Sequence, residues 1–369
     1  MGNRVVINAF GETPPDAIAQ HLAIEAQSMP DGATLESTDV IVAVKSAAVG
    51  WVDLLMTSGQ YQHLPQPPYT PGLEYAGEVA WVGSAVARVK VGDRVMADGF
   101  LTGPRSYGNY RSWGGFAAWA VAPESAMLPI PATFTLDQAS NFLGNYETAY
   151  HCLVARGRLT RAETVLVHGA TGATGLAAVQ IAKHLGATVI ATGRSTQKLA
   201  QVKADHVLAL HAREDGSFRF RDEVKALTGG KGVDVVYDAV GGEISKESMH
   251  CVRFGARFLI VGWASTPFVA RGKGERGAPH ANQLPTNSMM MKGLDVLGCP
   301  TAIATHENPG IRRERLEALL AWANAGALTP AAPYAFSLSE VREAMLAKWE
   351  SRYVGGCVLH PSELPEKSV

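Results

Sequence analysis

The sequence predicts an α/β chain of two domains, one mostly β and one a doubly wound parallel sheet. Three observations carry that prediction. The run VLVHGATGATG, Val165 to Gly175, passes from an apolar strand through glycines at 169, 172 and 175 into a helical pattern, LAAVQIAKHLG. After it, near-continuously apolar strand segments alternate with helical segments, the pattern of strands covered on both faces. Before it, about the first 135 residues show short strand-like runs broken by Gly, Pro and Asn.

In the first region the strand candidates are 40–49, 76–83, 93–98 and 115–123, and Pro129 and Pro131 close it. Helical patterns follow at 137–143 and 145–156. Strands are then expected at 165–169, 188–193, 206–210, 233–239, 256–262 and 294–299. The helices between them are expected at 175–185, 196–203, 217–228, 243–252 and 284–291. Right-handed crossovers turn this alternation into one parallel sheet. Helices at 308–325 and 338–350 and a strand at 355–360 remain. They are too few for a third domain and are expected to pack on the β region, making it discontinuous. The apolar segment 294–299 is expected at a sheet edge, where pairing with a second copy would cover it and give a homodimer.

Composition narrows the function classes. The 369 residues are 47% hydrophobic and 18% charged with a net charge of -1, so no global field recruits nucleic acid or an anionic membrane. No apolar run approaches the roughly 18 residues a membrane span needs. The start, MGNRVVINAF, lacks the apolar core of a signal peptide, and a cytoplasmic location is expected. Cys152, Cys251, Cys299 and Cys357 are far apart with no CxxC pair, so no four-cysteine zinc site is expected.

The strand–glycine turn–helix run is suited to a dinucleotide. Backbone N–H groups of Gly169, Ala170, Thr171, Gly172, Ala173, Thr174 and Gly175 can approach a pyrophosphate, and the helix N-terminus favours its charge. The end of the next strand reads TGRSTQK. An NAD site usually places an acid there. Arg194, Ser195 and Lys198 instead offer charge and donors for a 2′-phosphate, which favours NADPH. Ser195 also reads as a plain helix N-cap.

The segments AVGWVDLLMTSGQY (48–61), TPGLEYAGEV (70–79), VGDRV (91–95), NYETAYH (145–151), the glycine turn, GVDVVYDAVGG (232–242) and RFLIVGWAS (257–265) carry a resemblance. Through them the chain resembles the medium-chain dehydrogenase/reductase superfamily, and within it the zinc-free quinone oxidoreductases of the ζ-crystallin group. The resemblance implies a GroES-like β domain (1–136 and 301–369) and a Rossmann domain (137–300). It implies that His211 lies near the adenosine, and that Val240, Gly241, Val261, Gly262 and Trp263 line the path to the nicotinamide. Thr148 is implied near the nicotinamide and Arg352 near the cofactor. Tyr61 matches a cleft Tyr that related enoyl-thioester reductases use as a proton donor; it also reads as a rim aromatic packed on Pro65 or Pro68. Gly50, Trp51 and Trp263 are implied at the substrate pocket, though Trp51 also reads as core. Asp53 reads as a structural hydrogen-bond acceptor.

Zinc-dependent relatives carry a ligand Cys and a ligand His where this chain has Gly50 and Leu73, so no metal is expected. Without a Lewis acid, the chemistry expected is hydride transfer to a conjugated acceptor, whose charge spreads onto an oxygen that hydrogen bonds can hold. The implied substrate is a quinone or α,β-unsaturated carbonyl. The alternatives are an enoyl-thioester substrate, with the basic loop RGKGERG (271–277) meeting CoA phosphates, and a non-catalytic NADPH-binding protein. Two departures stand out. Zinc-free relatives usually have Asn at the Gly50 position, and the helix after Lys198 is about three residues short.

Overall fold

The computed structural model describes residues 1–63, 65–265 and 282–362. The described chain divides into two units. The first runs Met1–Gly144 and resumes at Pro330; the second runs from Asn145 to Thr329.

The first unit is built on the long strand Asp39–Ala48. Its β-branched residues Val40, Val42 and Val44 are fully buried. It pairs antiparallel with Tyr75–Val82 on one side and with Trp119–Pro123 and Cys357–His360 on the other. Tyr334–Ser337 adds in parallel to Cys357–His360, so the late residues complete a sheet begun near residue 39. A hairpin, Gly2–Ile7 with Leu22–Gln27, and a helix at Pro14–Gln20 pack on this core; the sequence pattern did not separate them from the surrounding loops. The helix follows from Thr13, whose side chain accepts from the Asp16 N–H, and from Pro14 at the first helical position.

The second unit holds six parallel strands in the order His206–Ala209, Thr188–Gly193, Thr164–Val167, Val233–Asp238, Val252–Ile260, Asp295–Gly298. The order reverses between Thr164–Val167 and Val233–Asp238. The crevice beyond the C-terminal ends of those two strands is where open α/β sheets bind ligands. Asp295–Gly298 lies at the sheet edge, where the apolar pattern of 294–299 puts it.

The sequence boundaries at 136 and 300 differ from the observed breaks at 144 and 329. At the first break, Asn141 Nδ2 donates to Gly355 O at 2.9 Å and Ser140 bonds Ser46 at 3.0 Å, tying 136–144 to the first unit. At the second, Thr301–Glu307 and Ile311–Asn324 are held by charge. Arg312 and Arg315 both reach the buried Glu147 carboxylate, at 2.7–2.9 Å, and Arg315 also donates to Thr305. The Glu147 carboxyl stays below its usual range because, against burial, both guanidiniums favour its charged form. The helix expected at 145–156 is α-helical to Tyr150 and then widens into a π-helical stretch, His151–Arg156.

Candidate active site

The second unit carries the residues expected to face a nucleotide. Thr164–Val167 ends in His168, and Gly169 turns the chain at φ +67°, a conformation that favours glycine. The turn is tight: Gly172 N–H donates to Gly169 O, and a Cβ on Gly175 would come within 2.2 Å of that same oxygen. The third glycine is therefore a packing requirement between helix and turn. Helix Ala173–His184 starts at Gly172, which supplies no capping oxygen of its own, so the first-turn N–H groups keep their affinity for an anion. Thr174 Oγ1 donates to Asn145 Oδ1 at 2.7 Å, fixing the turn to helix Leu143–Tyr150. Thr148 is half-buried one turn further along that helix.

At the next strand end, Arg194 is exposed and Lys198 half-buried. The Lys198 ammonium is disfavoured by partial burial and by repulsion from Arg194, which places two cations together. Ser195 Oγ accepts from Lys198 N, so the N-cap reading is correct, and its hydroxyl hydrogen remains available to an acceptor. His211 is exposed beyond Leu210, whose N–H donates to Gly193 O. Sequence and geometry thus bring Arg194, Ser195, Lys198 and His211 to one end of the sheet.

Asp238 organises the turns after Val233–Asp238 and Val252–Ile260. Its fully buried carboxylate accepts from Val240 and Gly241 N–H at 2.9 Å and from the Ser245 hydroxyl. Its carbonyl accepts from Val261 and Gly262 N–H. Ala264 and Ser265 N–H bond back to Ala239 and Val240. Val240, Gly241, Val261, Gly262 and Trp263 therefore form one paired rim, with Trp263 at 42% exposure. Asp238 and Asn145 were within recognised motifs but were not singled out.

The first unit gathers a second cluster. Asp53, 1% exposed, accepts from Gly50 N through Oδ2 and from Gly72 and Leu73 N through Oδ1, all at 3.0 Å. It is the structural acceptor its sequence suggested. A Cβ on Gly50 would lie 2.8 Å from Asp53 Oδ2, so a side chain there must push against this anchor. Leu73 is buried and carries no ligand atom. Among the described residues no group of three or more His, Cys, Asp or Glu side chains is placed to hold a metal ion. Trp51 stacks on Trp349 with ring centroids 5.3 Å apart and planes within 3°, which places it on helix Val341–Trp349.

Tyr61 is half-buried against the first unit's core. Burial pushes its phenol pKa up, Arg105 opposes that, and the Asp53 charge adds to it. Two basic groups that no sequence pattern marked complete the cluster. Arg105 is buried, and Lys348 is a half-buried lysine whose ammonium is disfavoured by desolvation and favoured by Cys357, Asp53 and Glu74. Arg352 is exposed and paired with Glu343 and, at 2.6 Å, with Glu350, so its charge is met by its own neighbours. The loop 271–277 lies outside the described residues.

Comparison with known proteins decides the family. The family model described as alcohol dehydrogenase GroES-like domain matches residues 36–132, and that described as zinc-binding dehydrogenase matches 173–314. A quinone oxidoreductase-like protein 2 homolog of Nematostella vectensis is 32% identical over 333 residues, 89% of this chain and 83% of that protein. The chain belongs to the quinone oxidoreductase group of the medium-chain dehydrogenase/reductase superfamily. Like its relatives, this quinone oxidoreductase-type chain is an oxidoreductase with a GroES-like domain and a Rossmann domain. A probable oxidoreductase of Mycobacterium abscessus is 28% identical with a TM-score of 0.76, and a quinone oxidoreductase of Pseudomonas syringae is 25% identical with the same TM-score. Each match covers 98% of this chain and 100% of the solved one.

The Asp53 anchor has a pH signature. Burial, opposed by the three backbone donors and Arg105, pushes its pKa up to about 6 from 3.8. A carboxyl whose folded pKa is raised favours folding in its neutral form, and this contribution is lost as pH rises through the folded value. Wild type should therefore gain stability relative to the non-titrating Asp53→Asn variant as pH is lowered from about 7 to about 5. The difference in thermal midpoints across that range measures this; a difference independent of pH would show that burial does not govern the Asp53 charge.

Proposed function

We propose that this oxidoreductase uses NADPH, without zinc, to deliver hydride to a quinone or an α,β-unsaturated carbonyl. The observation that carries the cofactor choice is the pairing of Arg194 and Lys198 at the end of Thr188–Gly193, with no acid among RSTQK to receive a ribose 2′-OH. The glycine turn, closed to any side chain at Gly175, supports this reading by bringing backbone close to where a pyrophosphate would lie. NADPH, when bound, supplies the hydride. Gly169 to Gly175 hold its pyrophosphate, and Arg194, Ser195 and Lys198 hold its 2′-phosphate.

The substrate class follows from the first unit. Gly50 and Leu73 provide no metal ligand, so charge developing on the substrate oxygen must be met by hydrogen bonds. Tyr61 is the donor we assign. A phenol is protonated at neutral pH by its ordinary pKa of about 10, and burial raises this one further, so Tyr61 has a proton to give or share with the reduced substrate. Assays with a quinone, a simple enone and an enoyl-CoA ester separate the proposed class from a thioester substrate.

We also propose a homodimer through the edge strand Asp295–Gly298. Phe254, Met290, Met291 and Ile303 are exposed large apolar side chains on the elements next to that edge, and a second copy would cover them. Sedimentation should give a dimer at micromolar concentration; a monomer there rejects the interface.

Two substitutions test the chemistry. A charge-assisted contact to phosphate contributes roughly 1.5–3 kcal/mol, so Arg194→Ala should weaken NADPH binding about ten-fold or more and leave NADH nearly unchanged, measured by fluorescence titration. Equal losses for both cofactors would make Arg194 a fold residue. Tyr61→Phe removes only the hydroxyl. It should lower kcat by ~10²-fold or more while NADPH affinity holds. A kcat within about two-fold of wild type would leave Tyr61 as packing, well below the effect of a positioned acid.

A further inference from the structure

We propose that Arg105 is a positioning residue for the Tyr61 proton: its guanidinium holds the phenol in place and takes up the negative charge left when the proton moves to substrate. The inference rests on the reading of Tyr61 as donor and adds a group that reading does not contain.

Arg105 is 8% exposed, unusually deep for this residue type. Its guanidinium carbon lies 4.0 Å above the Phe100 ring, and Nε donates to Gly99 O at 3.3 Å. The location is set by backbone packing. A Cβ on Gly99 would lie 2.4 Å from Leu73 O and 3.1 Å from Arg105 Nη2, so Gly99 sits between Arg105 and the Leu73 segment that Asp53 anchors. The loop that carries Arg105 also runs beside the segment that carries Tyr61. Tyr107 OH bonds His63 Nδ1 at 3.3 Å, and the His63 ring meets both Tyr61 and Tyr107 edge-on, at 6.3 and 6.1 Å. These contacts join residues two beyond Arg105 to residues two beyond Tyr61.

The charge pattern selects a role. The Arg105 charge acts on both the Asp53 carboxyl and the Tyr61 phenol, favouring the ionised form of each, and among the described residues no carboxylate lies in salt-bridge contact with it. A guanidinium has five N–H donors and stays charged at every working pH, so one fixed by a single carbonyl and a ring face has donors to spare. In the same unit the Tyr69 hydroxyl, on a side chain 3% exposed, and both amide atoms of Gln60, the residue before Tyr61, are buried without a hydrogen-bond partner. Unpartnered polar atoms of this kind are costly unless a ligand completes them. The cluster therefore has the composition of a site for a polar substrate atom. In the step, the Tyr61 O–H bond breaks and its proton forms a new bond to the substrate. The phenolate left behind is held by Arg105 and is reprotonated by water.

A double-mutant cycle on the full-length protein with NADPH and a simple enone tests this. Arg105→Met should lower kcat roughly ten- to hundred-fold, the span of a charge-assisted hydrogen bond, with little change in NADPH dissociation constant. In a Tyr61→Phe background the same substitution should change kcat by less than about two-fold, because the group it serves is gone. Arg105→Lys, which keeps the charge, should recover part of the loss and guards against a folding defect in Arg105→Met. If Tyr61→Phe alone is silent, the donor reading falls and this inference with it. If Tyr61→Phe is costly but Arg105→Met costs the same factor in both backgrounds, or Arg105→Lys recovers nothing, Arg105 is structural and only this inference is overturned.

Discussion

A single carboxylate holds the first unit's chemistry together. Asp53 is the common acceptor for the N–H groups of Gly50, Gly72 and Leu73, two stretches of chain that share no strand pairing with each other at those points. Those are the positions where zinc-dependent relatives place metal ligands. In this chain a buried anion bridges the segments by hydrogen bonds to backbone, which places few demands on the side chains at 50 and 73. A Cβ at Gly50 would lie 2.8 Å from Asp53 Oδ2, so a side chain there would require that carboxylate to shift.

The two units handle buried charge differently. In the second, Glu147 is met by two arginines in direct contact and ionised throughout, a closed arrangement that fixes Ile311–Asn324 to Leu143–Tyr150. In the first, Asp53 is met by neutral backbone donors, with Arg105 as an opposing charge and Lys348 disfavoured by burial nearby. The first arrangement rigidifies a scaffold. The second leaves buried polar atoms of Gln60 and Tyr69 without partners in the same unit, the observation on which the proposed site draws.

The glycine turn, the parallel sheet and the edge strand were legible because each depends on local pattern: strand hydrophobicity, positive φ at Gly169 and a helix start. The Ser195 cap and the Asp53 acceptor were legible for the same reason. The boundary at 300 was misplaced because a strand count ends there, whereas Arg312 and Arg315 carry the next helices into the second unit by contacts 165 and 168 residues away in sequence. Arg105 sits in a Gly/Pro/Ser-rich loop with no periodicity, and its importance depends on Gly99 lying against Leu73, which no linear pattern reports. Arg352, marked by its match to a basic residue near the cofactor, is paired here with Glu343 and Glu350, contacts that the linear pattern did not report.

The pairing of Cys357–His360 with Asp39–Ala48 bears on how the chain is made. The strands of the second unit's sheet all lie between Thr164 and Gly298, so on the ribosome that sheet can close as soon as Asp295–Gly298 and the two following helices emerge. The N-terminal sheet is synthesised first, yet the edge of its longest strand at Ala47 and Ala48 stays unpaired until more than three hundred further residues have been added. That interval ends only with the arrival of a four-residue strand, Cys357–His360.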